Sequence, residues 1–181
     1  MLLSVGFISL GQVCPPEGTG KNAKEKHANT LKNRSVIVNK ARIPMTLSLD
    51  SVLVIGQDSA RFRDSNYVVM DGFVVEFKSG ESESCNCNSV EEKNHDIHIY
   101  VGKTPDAKKE NCMICEITPP YKNSVHPDVK SMVGQRVVVE GFLFYDAEHK
   151  GNAKNTCKRC TNTWRATVWE IHPVTLLEVV K

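Results

Sequence analysis

The chain has 181 residues, a formal net charge of +2, and apolar and charged fractions of 40% and 24%. A chain of this length can bury a core, and this composition excludes a disordered protein and a helical membrane bundle. Charge is unevenly spread: residues 21–43 carry Lys21, Lys24, Lys26, Lys32, Arg34, Lys40 and Arg42 against Glu25, so that segment is +6 and the remainder −4. A basic arm on a mildly acidic body reads either as a solvated tail or as a contact for phosphates or anionic lipid.

In chain order, residues 2–10 are an apolar run ending in Ser9-Leu10-Gly11, and residues 1–13 read as a signal-peptide remnant, with an N-terminal strand as the alternative. The run is too short to span a bilayer. The signal reading puts the true start upstream and favours an exported or periplasmic protein over a cytoplasmic one. Residues 14–45 form a basic N-terminal extension, and residues 46–181 the folded domain. Within the extension, residues 14–21 carry turn chemistry. Gly18-Thr19-Gly20-Lys21 is not a phosphate loop, because Pro15 stands where its first glycine belongs and Asn22 where Ser or Thr would bind magnesium. Residues 22–33 predict a short polar helix whose stripe, Ala23, Ala28 and Leu31, is thin.

From Tyr67 onward the pattern turns to strands. Residues 67–78 (YVVMDGFVVEFK) predict a long first strand, residues 95–101 a second and residues 111–118 a third that Pro119 and Pro120 stop. A helix fits residues 124–132, with Pro127 in its first turn and Gly134 past its end. Residues 135–146 predict the fourth strand, and residues 164–180 the fifth. Five strands with a helix between the third and fourth predict a mainly β, OB-fold-like barrel. Val68-Val69-Met70-Asp71-Gly72-Phe73-Val74 also parallels Val137-Val138-Val139-Glu140-Gly141-Phe142-Leu143. Matching mid-strand glycines are expected where two neighbouring strands coil at barrel corners.

Alternation then sorts side chains by face. With Ile97, Ile99 and Val101 inward, Asp96, His98 and Tyr100 point out; with Met113, Cys115 and Ile117 inward, Glu116 points out. Trp169 and Ile171 inward put Glu170 and His172 out. The second, third and fifth strands of an OB barrel are neighbours, so these groups predict one polar surface patch, with Asp146 and His149 leaning over it from the last long loop. Imidazoles among carboxylates suit zinc, manganese or iron, with His98 and His172 as the nitrogen donors. They equally suit proton transfer, or a hydrogen-bonded network that pins register.

Of the seven cysteines, Cys112 and Cys115 fall on opposite faces of a strand and do not chelate. Cys85, Cys87, Cys157 and Cys160 lie in two loops at one end of the predicted barrel. They predict a zinc site or disulfides, structural in both cases, with unpaired thiols as the third alternative.

The segments CPPEGTG (14–20), LKNR (31–34), CNC (85–87), DIHI (96–99), EITP (116–119), FYDAEH (144–149) and WRATVWEIHPVT (164–175) together resemble an uncharacterised bacterial OB-fold-like family, over nearly the whole chain after Cys14. A shorter series from the same segments is similar to bacterial lipoproteins labelled nucleic-acid-binding. The resemblance implies the barrel and a nucleic-acid partner; Cys157 and Cys160 are not part of its pattern.

Three functions follow as expectations. The first is a binding module holding an oligonucleotide or another extended polyanion across the polar patch and Tyr100. The second is an exported structural or adaptor protein without chemistry. The third is a metal-dependent hydrolase, with zinc as its cofactor, built on His98, Glu116, Glu170 and His172.

Overall fold

A computed structural model describes residues 14–34, 43–56, 58–125, 128–157 and 159–181. The apolar run 2–10, and with it the signal-peptide reading of residues 1–13, lies outside the described residues, as do Lys40 and Arg42. Among the described residues no helix is long and apolar enough to cross a membrane.

Five strands make the barrel: β1 (Tyr67–Ser79), β2 (Ile97–Gly102), β3 (Met113–Ile117), β4 (Arg136–Tyr145) and β5 (Trp169–Val179). β1 pairs antiparallel with β2, β2 with β3, β4 with β5 and β1 with β4, while β3 and β5 pair in parallel. The order 1-2-3-5-4-1 closes the sheet, and the fold is an OB-type barrel. Its interior is filled by residues that alternation assigns inward, among them Ile99, Val101, Met113, Ile117, Trp169 and Ile171, joined by Val68 and Val139. Val125, Val129 and Met132 join that core from the connection between β3 and β4. The single helix expected there is instead a short α-helix, Lys122–Val125, and a 3-10 turn, Val129–Met132. Residues 126 and 127, between them, lie outside the described residues.

The two glycine motifs meet as expected. β1 and β4 run antiparallel so that Val68 faces Gly141 and Val137 faces Gly72. A Cβ on Gly141 would stand 2.3 Å from the Pro173 carbonyl oxygen, and one on Gly72 2.6 Å from Val101 Cγ1. Neighbouring strands therefore pass where a side chain would stand, and the β4–β5 register shifts on both sides of Gly141.

The fifth strand begins at Trp169, not at Trp164. Buried Asp58 captures the preceding stretch: its Oδ2 accepts from Thr167 Oγ1 at 2.7 Å and from the Val168 amide at 2.9 Å. Its carbonyl also accepts from Trp169 Nε1 at 2.7 Å. The Val168 amide is thus committed to Asp58, and the amides of Trp164 and Ala166 go to the carbonyls of Asn152 and Cys112, so residues 164–168 do not continue the ladder.

The solvated-tail reading is corrected for residues 14–34. α1 (Ala23–Lys32) forms as predicted, with the Asn22 side chain accepting from the Glu25 amide at its N-terminus. It docks on the barrel through polar groups. Asn29 Nδ2 donates to Glu17 O at 2.9 Å and to Ser84 Oγ at 3.1 Å, and Asn33 Nδ2 to Cys85 O at 2.7 Å. The Arg34 guanidinium donates to the carbonyls of Asp64, Leu143 and His172. A disulfide between Cys14 and Cys87 ties the segment down.

Candidate functional site

Asp96, His98, Glu116, Glu170 and His172 do converge on the outer face of β2, β3 and β5. Strand register brings them there: His98 pairs with Glu116, and Glu170 with Ile114. Glu116 Oε2 lies 3.1 Å from His172 Nδ1 and 3.5 Å from His98 Nε2. The other ring nitrogen of His172, Nε2, is 3.7 Å from Asp96 Oδ2, and Glu170 Oε2 is 3.6 Å from Nδ1.

The expected surface patch is, however, not at the surface. Asp96, Glu116, Glu170 and His172 are all buried, His172 completely. Pointing away from a barrel interior means facing water only if nothing packs there, and here α1 and the β1–β2 loop around Cys85 pack there. Tyr100 is corrected more fully. It is buried with Cys112 and Ile114 in a separate apolar cluster on the outer wall, where Trp164 packs on it, so it offers no open ring for stacking.

Burial governs the electrostatics. It lifts the Glu116 carboxyl well above the usual range, with nearby Glu170 adding to the effect, and it raises Asp96. Glu170 is pushed up to about 7, although Arg165 opposes the rise. Burial also takes the His172 and His98 imidazoles down to about 4, so both rings are neutral at pH 7. Asp96 Oδ1, His98 Nε2, Glu116 Oε2 and both ring nitrogens of His172 are buried and make no hydrogen bond among the described residues, although Glu116 Oε2 and His172 Nδ1 stand 3.1 Å apart.

Three participants were not singled out from the sequence, and a fourth, Cys85, was expected instead in a staple with the other loop thiols. Arg165 is fully buried and bridges the polar face to the last loop, with Nη2 2.7 Å from Glu170 Oε1 and Nη1 2.8 Å from Asp146 Oδ2. Lys32, at the end of α1, reaches Glu83 Oε2 at 2.8 Å. Burial is the largest influence on Lys32 and opposes its charge, but Glu83, Glu116 and Glu170 together outweigh it and hold the amine well above the usual lysine range. Glu83 is likewise raised most by burial, but Lys32, His172 and the Cys85 contact together bring it down to about 2. Cys85 is the fourth, buried and unpaired. Lys32 and Arg165 fall within the LKNR and WRAT segments, where a buried cation opposite a run of acids was the signal to read.

Asp146 and His149 thus join the polar face only through Arg165. His149 Nδ1 contacts Asp146 Oδ2, and this contact raises the imidazole pKa above its ordinary value. A raised imidazole contributes stability below its unfolded pKa of about 6.5 and loses it as pH climbs through the folded value. His149→Gln should therefore be more destabilising at pH 5.5 than at pH 8.5 in urea melts. The difference should stay below about 1 kcal/mol, because the ring is half exposed.

The four loop thiols do not form one site. Cys87 is bonded to Cys14, and Cys157 to Cys160. The disulfide alternative holds for three of them and the four-thiol zinc site does not, because the docked N-terminal segment delivers a partner from 73 residues away in sequence.

No family model matches the chain, and no curated protein does. Among solved structures, the crystal structure of yeast Stn1 and Ten1 is similar, with a TM-score of 0.42, 15% identity, and coverage of 79% of this chain and 66% of that one.

Proposed function

We propose that the barrel is a binding module for a divalent cation of the zinc, manganese or iron class, held by Asp96, Glu116 and His172 beneath the N-terminal segment. One ligand atom from each of the three lies within 4.8 Å of the others. The observation that carries the reading is the set of partnerless buried atoms on those same residues. Each such atom costs about 1–3 kcal/mol when left unpaired, and one cation satisfies several of them together. Two carboxylates and a neutral imidazole are a suitable donor set. A roofed site favours a cation that ties β2, β3 and β5 to one another over one that turns over substrate.

An oligonucleotide would need this face uncovered, or another face. The groups here are acidic, and the one aromatic expected to stack is buried. The two disulfides support the exported reading, since such bonds persist in oxidising compartments.

Calorimetric titration of chelator-treated protein with zinc and with manganese tests the proposal. Wild-type protein should bind at least one ion and melt higher in its presence, by about 2.7 kcal/mol at a hundredfold excess over Kd. His172→Ala should weaken binding more than about 100-fold, since losing even an outer-shell partner costs about 10–100-fold. No binding by the wild type, or an affinity indifferent to His172→Ala, would remove the reading.

A further inference from the structure

Cys85 is one of three buried thiols that neither disulfide uses, and it stands at the edge of the polar face. Its Sγ lies 3.4 Å from Glu83 Oε2 and 4.0 Å from Asp96 Oδ2. Ligand atoms of Glu83, Cys85 and Asp96 also fall within 4.8 Å of one another, a second triad beside that of Asp96, Glu116 and His172. Asp96 belongs to both. Its Oδ2 faces Cys85 on one side and His172 Nε2 on the other, while its Oδ1 makes no hydrogen bond of normal geometry among the described residues, although the Asn86 amide is near enough to favour the charged carboxylate.

We infer that Glu83, Cys85 and Asp96 form a second cation subsite that shares the Asp96 carboxylate with the first, so the closed site takes a pair of zinc-class ions. The inference rests on the proposed cation site and adds to it. A carboxylate with one oxygen between two donor sets and the other unpaired has the form of a bridging ligand. The thiol sets the preference: sulfur selects zinc over manganese, whereas the first triad accepts either. On binding, the sulfur–metal bond forms as the Cys85 S–H bond breaks, and its proton leaves to water. Lys32 is the resident cation of this subsite through Glu83, so the second ion must displace its ammonium from that carboxylate. A site with two such requirements fills second.

Cobalt(II) titration of the oxidised full chain, followed by absorption and by calorimetry, separates the possibilities. Two ions per chain are expected, the second bringing a thiolate-to-cobalt charge-transfer band. Cys85→Ser should abolish the band and reduce the stoichiometry to one. Lys32→Gln should tighten the second ion at least threefold, and by more than it tightens the first, because Lys32 also acts at longer range on Asp96, Glu116 and His172. Circular dichroism and melting verify that both variants fold. A single ion without the band overturns the second subsite and leaves the first standing. A single ion with the band, lost in Cys85→Ser, also overturns the pair, because the thiol then belongs to a mononuclear site. No ion at all removes both proposals.

Discussion

Arg165→Leu should destabilise the protein by about 3–5 kcal/mol, the cost of removing one partner from a buried ion pair, and lower Tm by on the order of 10 °C for a chain of this size. The guanidinium is fully buried between Asp146 and Glu170, and its Nε also donates to the Thr167 carbonyl at 2.8 Å. Leucine replaces part of its volume, takes the guanidinium from Glu170 and leaves Asp146 with His149 alone. The deficit should depend on pH in a definite direction. Arg165 holds Glu170 down to about 7 against burial, so without it the folded carboxyl rises further above its unfolded value. A group whose folded pKa is raised loses stability as pH increases, because folding then requires a proton to be taken up. The loss should therefore be greater at pH 8 than at pH 5. Arg165→Lys should recover only part of it, since an ammonium cannot reach both carboxylates and the carbonyl in one plane. Denaturant melts of the two variants at both pH values measure this. A cost below about 1 kcal/mol for Arg165→Leu would mean that the bridge is solvated rather than buried.

The second large effect belongs to the tether. Cys14→Ser with Cys87→Ser opens a covalent loop spanning 73 residues, worth up to about 4 kcal/mol in the chain-entropy description of a disulfide. Part of that loss should appear as local opening rather than as global unfolding. Without the bond, residues 14–34 are retained by side-chain hydrogen bonds from Asn29, Asn33 and Arg34, by bonds linking Thr19 to Ser84 and Asn88, and by the Lys32–Glu83 ion pair. Hydrogen exchange should show protection lost in α1 and in the Ser84–Cys87 turn while β1, β4 and β5 remain protected. Unchanged protection in α1 would show that the polar contacts alone keep the roof in place.

Much of the architecture was legible in the sequence because burial on one side of a sheet writes itself as alternation. Residues 95–101 and 164–172 gave the facing of His98 and His172 correctly, and the repeated Gly72 and Gly141 motifs gave the β1–β4 pairing. The start of the fifth strand was not legible, since it depends on Asp58, more than a hundred residues away, taking the Thr167 and Val168 donors. The roof was hidden for a related reason. α1 has almost no apolar stripe and docks through asparagines, Lys32 and a disulfide, so nothing in its periodicity marks it as buried against anything. Outward-facing acids and histidines then read as a wet surface. The same docking withheld the cysteine pairing, since Cys14 could be matched to Cys87 only after the segment carrying it had been placed.

Crystals grown with zinc, and diffraction data collected on both sides of the zinc absorption edge, test the cation site most directly. An anomalous peak is expected, enclosed by Asp96, Glu116 and His172, beneath α1. Anomalous signal confined to surface side chains, with that cluster instead closed by protons and hydrogen bonds among its own members, would contradict it.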